Sequence, residues 1–340
     1  MNTTSLKALL STAIFSALLS TNAFSAESVN VYSYRQPFLI DPIFESFTKQ
    51  TGIKVNTVFA KKGLVERLKS EGTNSPADLL LTSDFNTITA AMDANVAQPV
   101  SSDVLSKNIP AEFRDPEGHW FGLTNRARLI VVSKERVTEN RPERYEDLAN
   151  AAYKGKICTR SGKHNYMVAL TASVIAHAGQ DAAKDWLAGM KDNLARKPQG
   201  NDRAQVKAIS QGECDIAIIN SYYMGSMLAD EEQIPWANSV DLIFPNQADR
   251  GTHMNISGVL LTKSTPNKSN AIKLMEYLSS ADAQEIYAEV NFEYPINKSI
   301  SPSELVQSWG EFTYDTLPLA QIAKFRNAAS RLADEVNYDH

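Results

Sequence analysis

The alternation of short apolar runs with amphipathic runs constrains the fold of this chain more than any other feature. Residues 29–34, 53–59 and 77–81 are typical of strands, and helical patterns lie between them. The first helical pattern buries one face and ends at Gly52, and the second ends near Gly72. The order strand, helix, strand, helix, strand predicts an α/β fold with a mostly parallel sheet and helices on both faces.

A second α/β series begins near residue 156, after a long predicted strand at residues 122–132. Because no Gly/Ser-rich linker separates the two series, we expect two lobes joined by strands that cross between them, at residues 122–128 and 251–258. The predicted segments are a first lobe at residues 27–124 and 259–300, a second lobe at residues 125–258, and a helical segment at residues 301–340 that packs on the lobes.

The N-terminus has the features of a secretory signal peptide. Lys7 precedes an apolar stretch at residues 8–19, and Ala23-Phe24-Ser25 offers small residues at the spacing of a cleavage site, so we expect residues 1–26 to be removed. No later run approaches the roughly 20 apolar residues of a membrane-spanning helix. We therefore expect an exported mature chain that is not embedded in a membrane.

Composition gives weaker constraints on partners. The 340 residues carry a net charge of −5, and 21% of them are charged, which does not favour binding to nucleic acid. The two cysteines, Cys158 and Cys214, each begin a predicted strand, and in an oxidising compartment they most simply pair. Two buried free thiols are the alternative.

Tyr222 and Tyr223 stand side by side just after the predicted buried strand at residues 216–219. In α/β proteins such a strand end is where ligands bind. Phenolate oxygen suits a hard, highly charged cation, and the charge of a bound metal can displace the phenol proton at neutral pH. The alternative is that one tyrosine belongs to the core and the other lines a groove.

No pattern of catalytic residues supports an enzyme. The five histidines show no HExxH spacing, and GxSxG is absent. The segment KPQGNDR lacks the Walker pattern, so it is better interpreted as a turn and a helix cap. These absences argue against a hydrolase, and we expect that the protein is not an enzyme.

Segments along the whole chain resemble the periplasmic ferric-ion-binding proteins of iron-uptake ABC transporters. In order, they are VNVYSYRQP, SPADLLLT, WFGLTNRAR, YKGKICTRSGKHNY, ARKPQGNDRAQVKAI, GECDIAIINSYYMG and GTHMNISGV. The tyrosine that follows SGKHN, together with the Tyr-Tyr pair some fifty positions on, is the most specific part of the resemblance. It implies a periplasmic two-lobed clamshell, expected to be a monomer, that traps Fe(III) between its lobes and delivers it to an inner-membrane permease.

The resemblance also implies a ligand set. The positions that match the family's metal ligands are Tyr166, Tyr222 and Tyr223. In the loop after the first strand, Gln36 and Pro37 stand where many relatives have a His and a Tyr. This departure favours a site with three protein ligands, completed by a synergistic anion such as carbonate or bicarbonate.

An anion of this kind needs positive groups beside it. Three phenolates cancel the charge of Fe(III), so a bound carbonate would leave the site negative unless arginines balance it. Arg35 and Arg126 are the candidates, since a guanidinium fork suits a planar oxyanion. Ser161 precedes a predicted helix whose first amides can also hold an anion. Arg128 shares a strand face with Arg126, and which of the two reaches the anion stays open.

Other interpretations remain open from the sequence. Arg35 alone is equally compatible with an interdomain salt bridge, and Tyr34 is a possible fourth phenol, although core or lid packing is its more usual role. For the whole protein, the alternative is a solute-binding protein for a non-metal cargo such as an oxyanion or a polyamine, with the tyrosines as walls of the site.

Overall fold

The computed structural model describes residues 27–340, and the predicted signal peptide at residues 1–26 lies outside them. The strands are β1 (Ser28–Ser33), β2 (Lys54–Phe59), β3 (Leu79–Thr82), β4 (Ala97–Gln98), β5 (Phe121–Ser133), β6 (Ile157–Cys158), β7 (Ile216–Asn220), β8 (Val240–Ile243), β9 (Met254–Thr262) and β10 (Tyr294–Pro295).

Helices cover the faces of the sheets. They are α1 (Pro37–Thr51), α2 (Leu64–Glu71), α3 (Phe85–Asp93), α4 (Asp103–Asn108), α5 (Asn165–Ala178), α6 (Gln180–Asp192), α7 (Asp202–Ser210), α8 (Tyr222–Leu228), α9 (Ile234–Asn238), α10 (Lys268–Leu278), α11 (Ala281–Glu289), α12 (Glu304–Gln307), α13 (Leu319–Ala323) and α14 (Arg326–Glu335). Within residues 27–340, no helix combines the length and the apolar character that a membrane crossing requires.

The first helix illustrates how local sequence sets the boundaries. A proline begins α1, where its fixed φ suits a helix and its missing N–H is not needed. The helix buries Leu39, Ile40, Ile43, Phe44 and Phe47 along one face, as their spacing predicts. Gly52 ends it with a left-handed φ of 74°, a conformation that a residue with a side chain rarely adopts.

The sheet runs in the order β2-β1-β3-β9-β5-β7-β6, and β5 belongs to both lobes. Its first half, residues 121–127, pairs with β9. Its second half, residues 128–133, pairs with β7 and β8. Strands β1, β2 and β3 are parallel, as predicted. The long strands β5 and β9 run antiparallel to their neighbours, so the sheet of each lobe is mixed.

Alternate residues of β5 separate two cores in the second lobe. Ile130 and Val132 face a cluster that includes buried residues of α5, α6 and α14. Leu129 and Val131 face the opposite cluster, which includes residues of α7 and α8. This period of two is what a strand covered on both faces requires. One larger cluster fills the first lobe.

Two further features belong to the second lobe. Cys158, at the end of β6, and Cys214, just before β7, form a disulfide with a Cα–Cα distance of 5.9 Å, which confirms the predicted pair. The C-terminal segment contributes Leu332, Ala333 and Tyr338 to the core beside α5. In the same segment, Arg326 Nη2 donates to Asp93 Oδ2 of α3, in the first lobe, over 2.6 Å.

Candidate ligand-binding site

Three phenols converge where β7 ends. Tyr222 and Tyr223 begin α8 directly after this fully buried strand, and Tyr166 lies in the first turn of α5. The hydroxyl oxygens of Tyr166 and Tyr222 are 3.5 Å apart. The rings of Tyr222 and Tyr223 stack with centroids 4.2 Å apart. The structure therefore brings the three sequence-predicted tyrosines together.

The junction that carries two of these phenols is fixed to β5. The Ser221 backbone N–H donates to the carbonyl oxygen of Ala127 over 2.9 Å. In return, the Ala127 backbone N–H donates to Ser221 Oγ over 3.2 Å. Ser221 is fully buried, so both bonds are shielded from water. The start of α8 therefore has little freedom to shift along the strand.

Burial disfavours the phenolate forms of the pair in the absence of a cation. Tyr222 and Tyr223 expose only 6% and 8% of their surface. Loss of hydration, reinforced by the neighbouring Tyr166, raises the pKa of Tyr223 to about 12 and that of Tyr222 well above its ordinary value. Tyr222 and Tyr223 are therefore neutral at pH 7 unless a strong positive charge binds beside them.

Three guanidinium groups surround the ring of Tyr166. Their central carbons lie 5.7 Å from the ring centroid for Arg126 and for Arg128, and 5.1 Å for Arg160. At these distances a guanidinium is attracted by the ring face. The phenols thus lie in a strongly positive part of the protein.

Asp202, at the start of α7, holds two of these arginines. Its carboxylate accepts from Arg128 Nη1 over 2.7 Å, from Arg160 Nη1 over 2.9 Å, and from the Asn220 backbone N–H over 2.7 Å. The residue is fully buried, and burial alone would raise its pKa. The charges of Arg128 and Arg160 more than offset this, and the pKa of Asp202 lies below its ordinary value. Asp202 therefore holds the guanidinium groups of Arg128 and Arg160 in place beside the phenols.

Within residues 27–340, Arg126 has two unused donors, whereas Arg128 and Arg160 each lack a partner only at Nε. Arg126 is 1% exposed, and its Nη2 donates to the carbonyl oxygen of Ser83. Its Nε and Nη1 atoms have no hydrogen-bond partner within residues 27–340. Because buried donors are normally satisfied, these two nitrogens mark a place where an acceptor belongs.

Arg35 has a partner. Its Nη1 and Nη2 atoms donate to the two carboxylate oxygens of Glu293 over 2.8 and 2.6 Å. Burial opposes the charge of Arg35, but Glu293 more than compensates, so the pKa of Arg35 lies above its ordinary value. Arg35 therefore forms a buried salt bridge, between the loop after β1 and the residue before β10. Both residues lie in the predicted first-lobe segments, so this pair is not the interdomain one that the sequence left open.

Ser161 is also engaged. Its Oγ donates to Asp339 Oδ2 over 2.6 Å, and the Gly162 backbone N–H donates to Asp339 Oδ1 over 2.8 Å. The carboxylate of Asp339 thus takes up both donors in this structure. The N-cap of α5 is instead His164, whose Nδ1 accepts from the Tyr166 backbone N–H over 3.2 Å. Burial, with a contribution from Arg160, lowers the pKa of His164 to about 4.

The loop after β1 does not add a phenol to the group. Tyr34 Oη accepts from the Val65 backbone N–H over 2.9 Å, which directs it to α2. Gln36 is exposed and precedes α1. The two lobes contact each other between α3 and α5. Asn165 Nδ2 donates to Asp84 Oδ2, and Asn86 Nδ2 donates to the Asn165 carbonyl oxygen, each over 3.2 Å.

Comparison with known proteins identifies the family of this chain. The sequence profile described as bacterial extracellular solute-binding protein matches residues 74–308. The chain belongs to this family. Iron uptake protein A1 of Synechocystis sp. is 40% identical over 315 residues, which cover 92% of this chain and 88% of that protein.

Two solved structures resemble this solute-binding protein closely. The apo ferric ion-binding protein A of Pasteurella haemolytica has a TM-score of 0.90 at 54% identity, over 93% of this chain and 99% of that one. A Trichodesmium protein in complex with iron and citrate has a TM-score of 0.85 at 42% identity, over 92% and 99%. The predicted two-lobed α/β fold and the family resemblance are confirmed.

Sequence reasoning missed several residues that shape the site of this solute-binding protein. Asp202, Glu293 and Arg160 hold or surround the predicted groups, yet none stood out in the sequence. Glu293 lies 258 residues from Arg35, and no local pattern signals such a pair. Among residues 27–340 there is no group of three or more His, Cys, Asp and Glu side chains that could hold a metal.

Proposed function

We propose that the protein is the periplasmic component of an ABC importer, and that it binds Fe(III) between its lobes and delivers it to an inner-membrane permease. The ligands in this proposal are the phenolates of Tyr166, Tyr222 and Tyr223. The observation that carries it is the 3.5 Å separation of the Tyr166 and Tyr222 oxygens, which belong to different helices. The relatives named for iron uptake and ferric ion binding support the choice of cargo.

The charge of the site supports a bound anion beside the metal. Three phenolates neutralise Fe(III), and around them the carboxylates of Glu293 and Asp202 face five guanidinium groups, those of Arg35, Arg126, Arg128, Arg160 and Arg203. The surrounding protein therefore carries positive charge in excess, which suits an anion such as carbonate. Nε and Nη1 of Arg126 are the donors we assign to it, because they lack partners within the described chain.

Arg35 and Ser161 complete the proposed anion contacts. Ser161 has a single hydroxyl proton, which Asp339 takes up, so its donation to an anion requires that hydrogen bond to be exchanged. Arg126 and Arg35 need no such exchange, because a guanidinium has five N–H donors and Glu293 takes up only two of those of Arg35. We therefore assign the first anion contacts to the arginines, and a contact that follows rearrangement to Ser161.

A second candidate is a solute-binding protein for a non-metal oxyanion. The excess positive charge and the unpartnered donors of Arg126 favour it, since both would hold an oxyanion without any metal. In that case the phenols are hydrogen-bonding walls. The two functions differ in whether a phenolate-to-iron bond forms.

The test is a visible absorption titration of the mature protein with ferric citrate, with and without bicarbonate. We expect a phenolate-to-iron charge-transfer band that saturates at one iron per chain and strengthens with bicarbonate. The Tyr222→Phe/Tyr223→Phe variant keeps the ring shapes and removes two ligands, so it should stay colourless. A colourless wild-type protein would contradict the iron function, whereas iron affinity that survives the double change would contradict the ligand assignment.

A further inference from the structure

We propose that Glu293 is a built-in counter-anion of the ligand site, and that it sets how much negative charge the site accepts from the anion bound beside the metal. This inference rests on the proposed function. It assigns a specificity role to a residue that is not itself a metal ligand.

The position of Glu293 is unusual for a carboxylate. It is fully buried, and both of its oxygens accept from Arg35 in a bidentate pair. Its Oε1 lies 4.0 Å from Arg126 Nη1, which is beyond hydrogen-bond distance but within strong electrostatic reach in a buried site. Glu293 therefore faces both arginines that the anion is proposed to use.

The backbone at this position is fixed from two sides. Phe292 has a left-handed φ of 56°, a strained conformation for a residue with an aromatic side chain. Its ring packs so closely on Gly225 of α8 that a Cβ at Gly225 would overlap it. Phe292 thus touches the helix that carries Tyr222 and Tyr223, while its neighbour Glu293 pairs with the first lobe. The carboxylate has little freedom to withdraw.

The two halves of the site use their carboxylates differently. Asp202 bonds to both Arg128 and Arg160 and also accepts a backbone N–H, which places it in a closed network. Glu293 bonds to Arg35 alone and leaves Nε and Nη1 of Arg126 without partners. Within residues 27–340, the Asp202 side leaves single donors without partners, namely Nε of Arg128, Nε of Arg160 and Nδ2 of Asn220. Arg126 offers two such donors on one guanidinium, and an anion that binds there must accept repulsion from Glu293.

The consequence is a limit on anion charge. The charge of Glu293 offsets one of the five guanidinium groups around the phenols. Removing that charge raises the positive excess by one, which strengthens anion binding in general and favours a tricarboxylate over carbonate. If Glu293 served only to position Arg35, its loss would weaken anion binding, so the two roles predict opposite directions.

The experiment compares the wild-type protein with Glu293→Gln and Glu293→Asp, each loaded with Fe(III) over a range of bicarbonate and, separately, citrate concentrations. The half-saturating bicarbonate concentration should fall roughly tenfold in Glu293→Gln. The preference for citrate over bicarbonate should rise. In Glu293→Asp the shorter side chain draws the charge away from Arg126, so the same changes should occur to a smaller extent.

Several controls make the result decisive. Glu71→Gln removes a carboxylate of the first lobe that bonds to Tyr32 and Arg67, away from the site, and it should leave both anion curves unchanged. Near-UV circular dichroism checks that each variant is folded. If Glu293→Gln does not fold, the anion curves of Glu293→Asp test the inference. An unchanged or raised bicarbonate requirement in the folded variants would overturn the inference, whereas a colourless wild-type protein would overturn the proposed function instead.

Discussion

The hydroxyl oxygens of Tyr166 and Tyr222 lie 3.5 Å apart, although 56 residues separate them in the chain. Each residue lies in the first turn of its helix, one in α5 and the other in α8. The fold of the second lobe therefore places two phenols at a spacing that one cation can bridge.

Tyr166→Phe tests the contribution of the phenol that comes from the separate helix. Loss of this ligand should weaken Fe(III) binding by at least about 100-fold, since loss of an outer-shell partner alone costs 10- to 100-fold. Competition with a chelator measures the affinity. The control is Tyr153→Phe, which removes only a hydrogen bond from the Tyr153 hydroxyl to the Asn140 carbonyl oxygen in the same lobe. Equal affinities in both variants would remove Tyr166 from the ligand set.

Asp202→Asn tests the network behind the site. The change leaves Arg128 and Arg160 buried without their counter-charge, so the free energy of unfolding should fall by about 3–5 kcal/mol. Urea denaturation gives this value. Asp241→Asn is the matched control, because the ion pair of Asp241 with Arg141 is more than a third exposed and should contribute less than about 1 kcal/mol. Similar losses in the two variants would argue against the network.

Gly225→Ala tests the close contact between α8 and the residue before Glu293. The added methyl group would overlap Phe292, so we expect a loss of about 1–3 kcal/mol of stability and weaker iron binding as α8 shifts. Adding Phe292→Ala creates space for the methyl group. The double variant should therefore bind iron better than Gly225→Ala alone, and an absence of rescue would show that Gly225 is required for another reason. Thermal unfolding and the iron titration measure both effects.

His253 predicts a pH dependence of stability. Burial lowers its pKa to about 4; Asp315 opposes this shift, and Arg128, Arg250 and His177 add to it. In the unfolded chain the pKa of a histidine is about 6.5, so unfolding takes up a proton between these values. Stability is therefore full above about pH 6.5 and falls by roughly 3 kcal/mol as the pH decreases to about 4.

The comparison variant for this prediction is His253→Leu. Neither ring nitrogen of His253 has a hydrogen-bond partner within residues 27–340, so an apolar side chain of similar size should be tolerated at pH 7. Urea denaturation at several pH values should give a shallower slope between pH 4 and 6.5 for the variant. Parallel curves for the two proteins would contradict the assignment, since contributions from other groups are common to both.

The sequence predicted what depends on local pattern. The spacing of apolar residues in α1, the run of β9 and the position of Gly52 each follow from a few neighbouring side chains, and the structure has them where the pattern predicts. Short elements such as β4 and β10 have only two residues, and they form because they pair with a long strand, β9 or β5. No periodicity can form over two residues, so they were not predicted.

The residues of the site also differ in whether local sequence or distant partners determine their role. The tyrosine pair was conspicuous because it follows a buried strand, whereas Asp202 and Glu293 acquire their roles only through distant partners. The pair between Arg35 and Glu293 spans 258 residues, and the sequence offers many other acids of the same type. Which acid meets which arginine depends on how the lobes are joined, and that is a property of the completed fold.

Strand β5 carries Arg126 in the half that pairs with β9 and Arg128 in the half that pairs with β7. In a rotation of one lobe against the other about this strand, points near the axis move least and points at the rim move most. Arg126 and Arg128 would then keep nearly the same separation throughout the motion. The contacts between Asn86 and Asn165 would form only at its end. Binding of the proposed anion and closure of the lobes can therefore be separate events. Arg126 and Arg128 would already be in place before Asn86 and Asn165 meet.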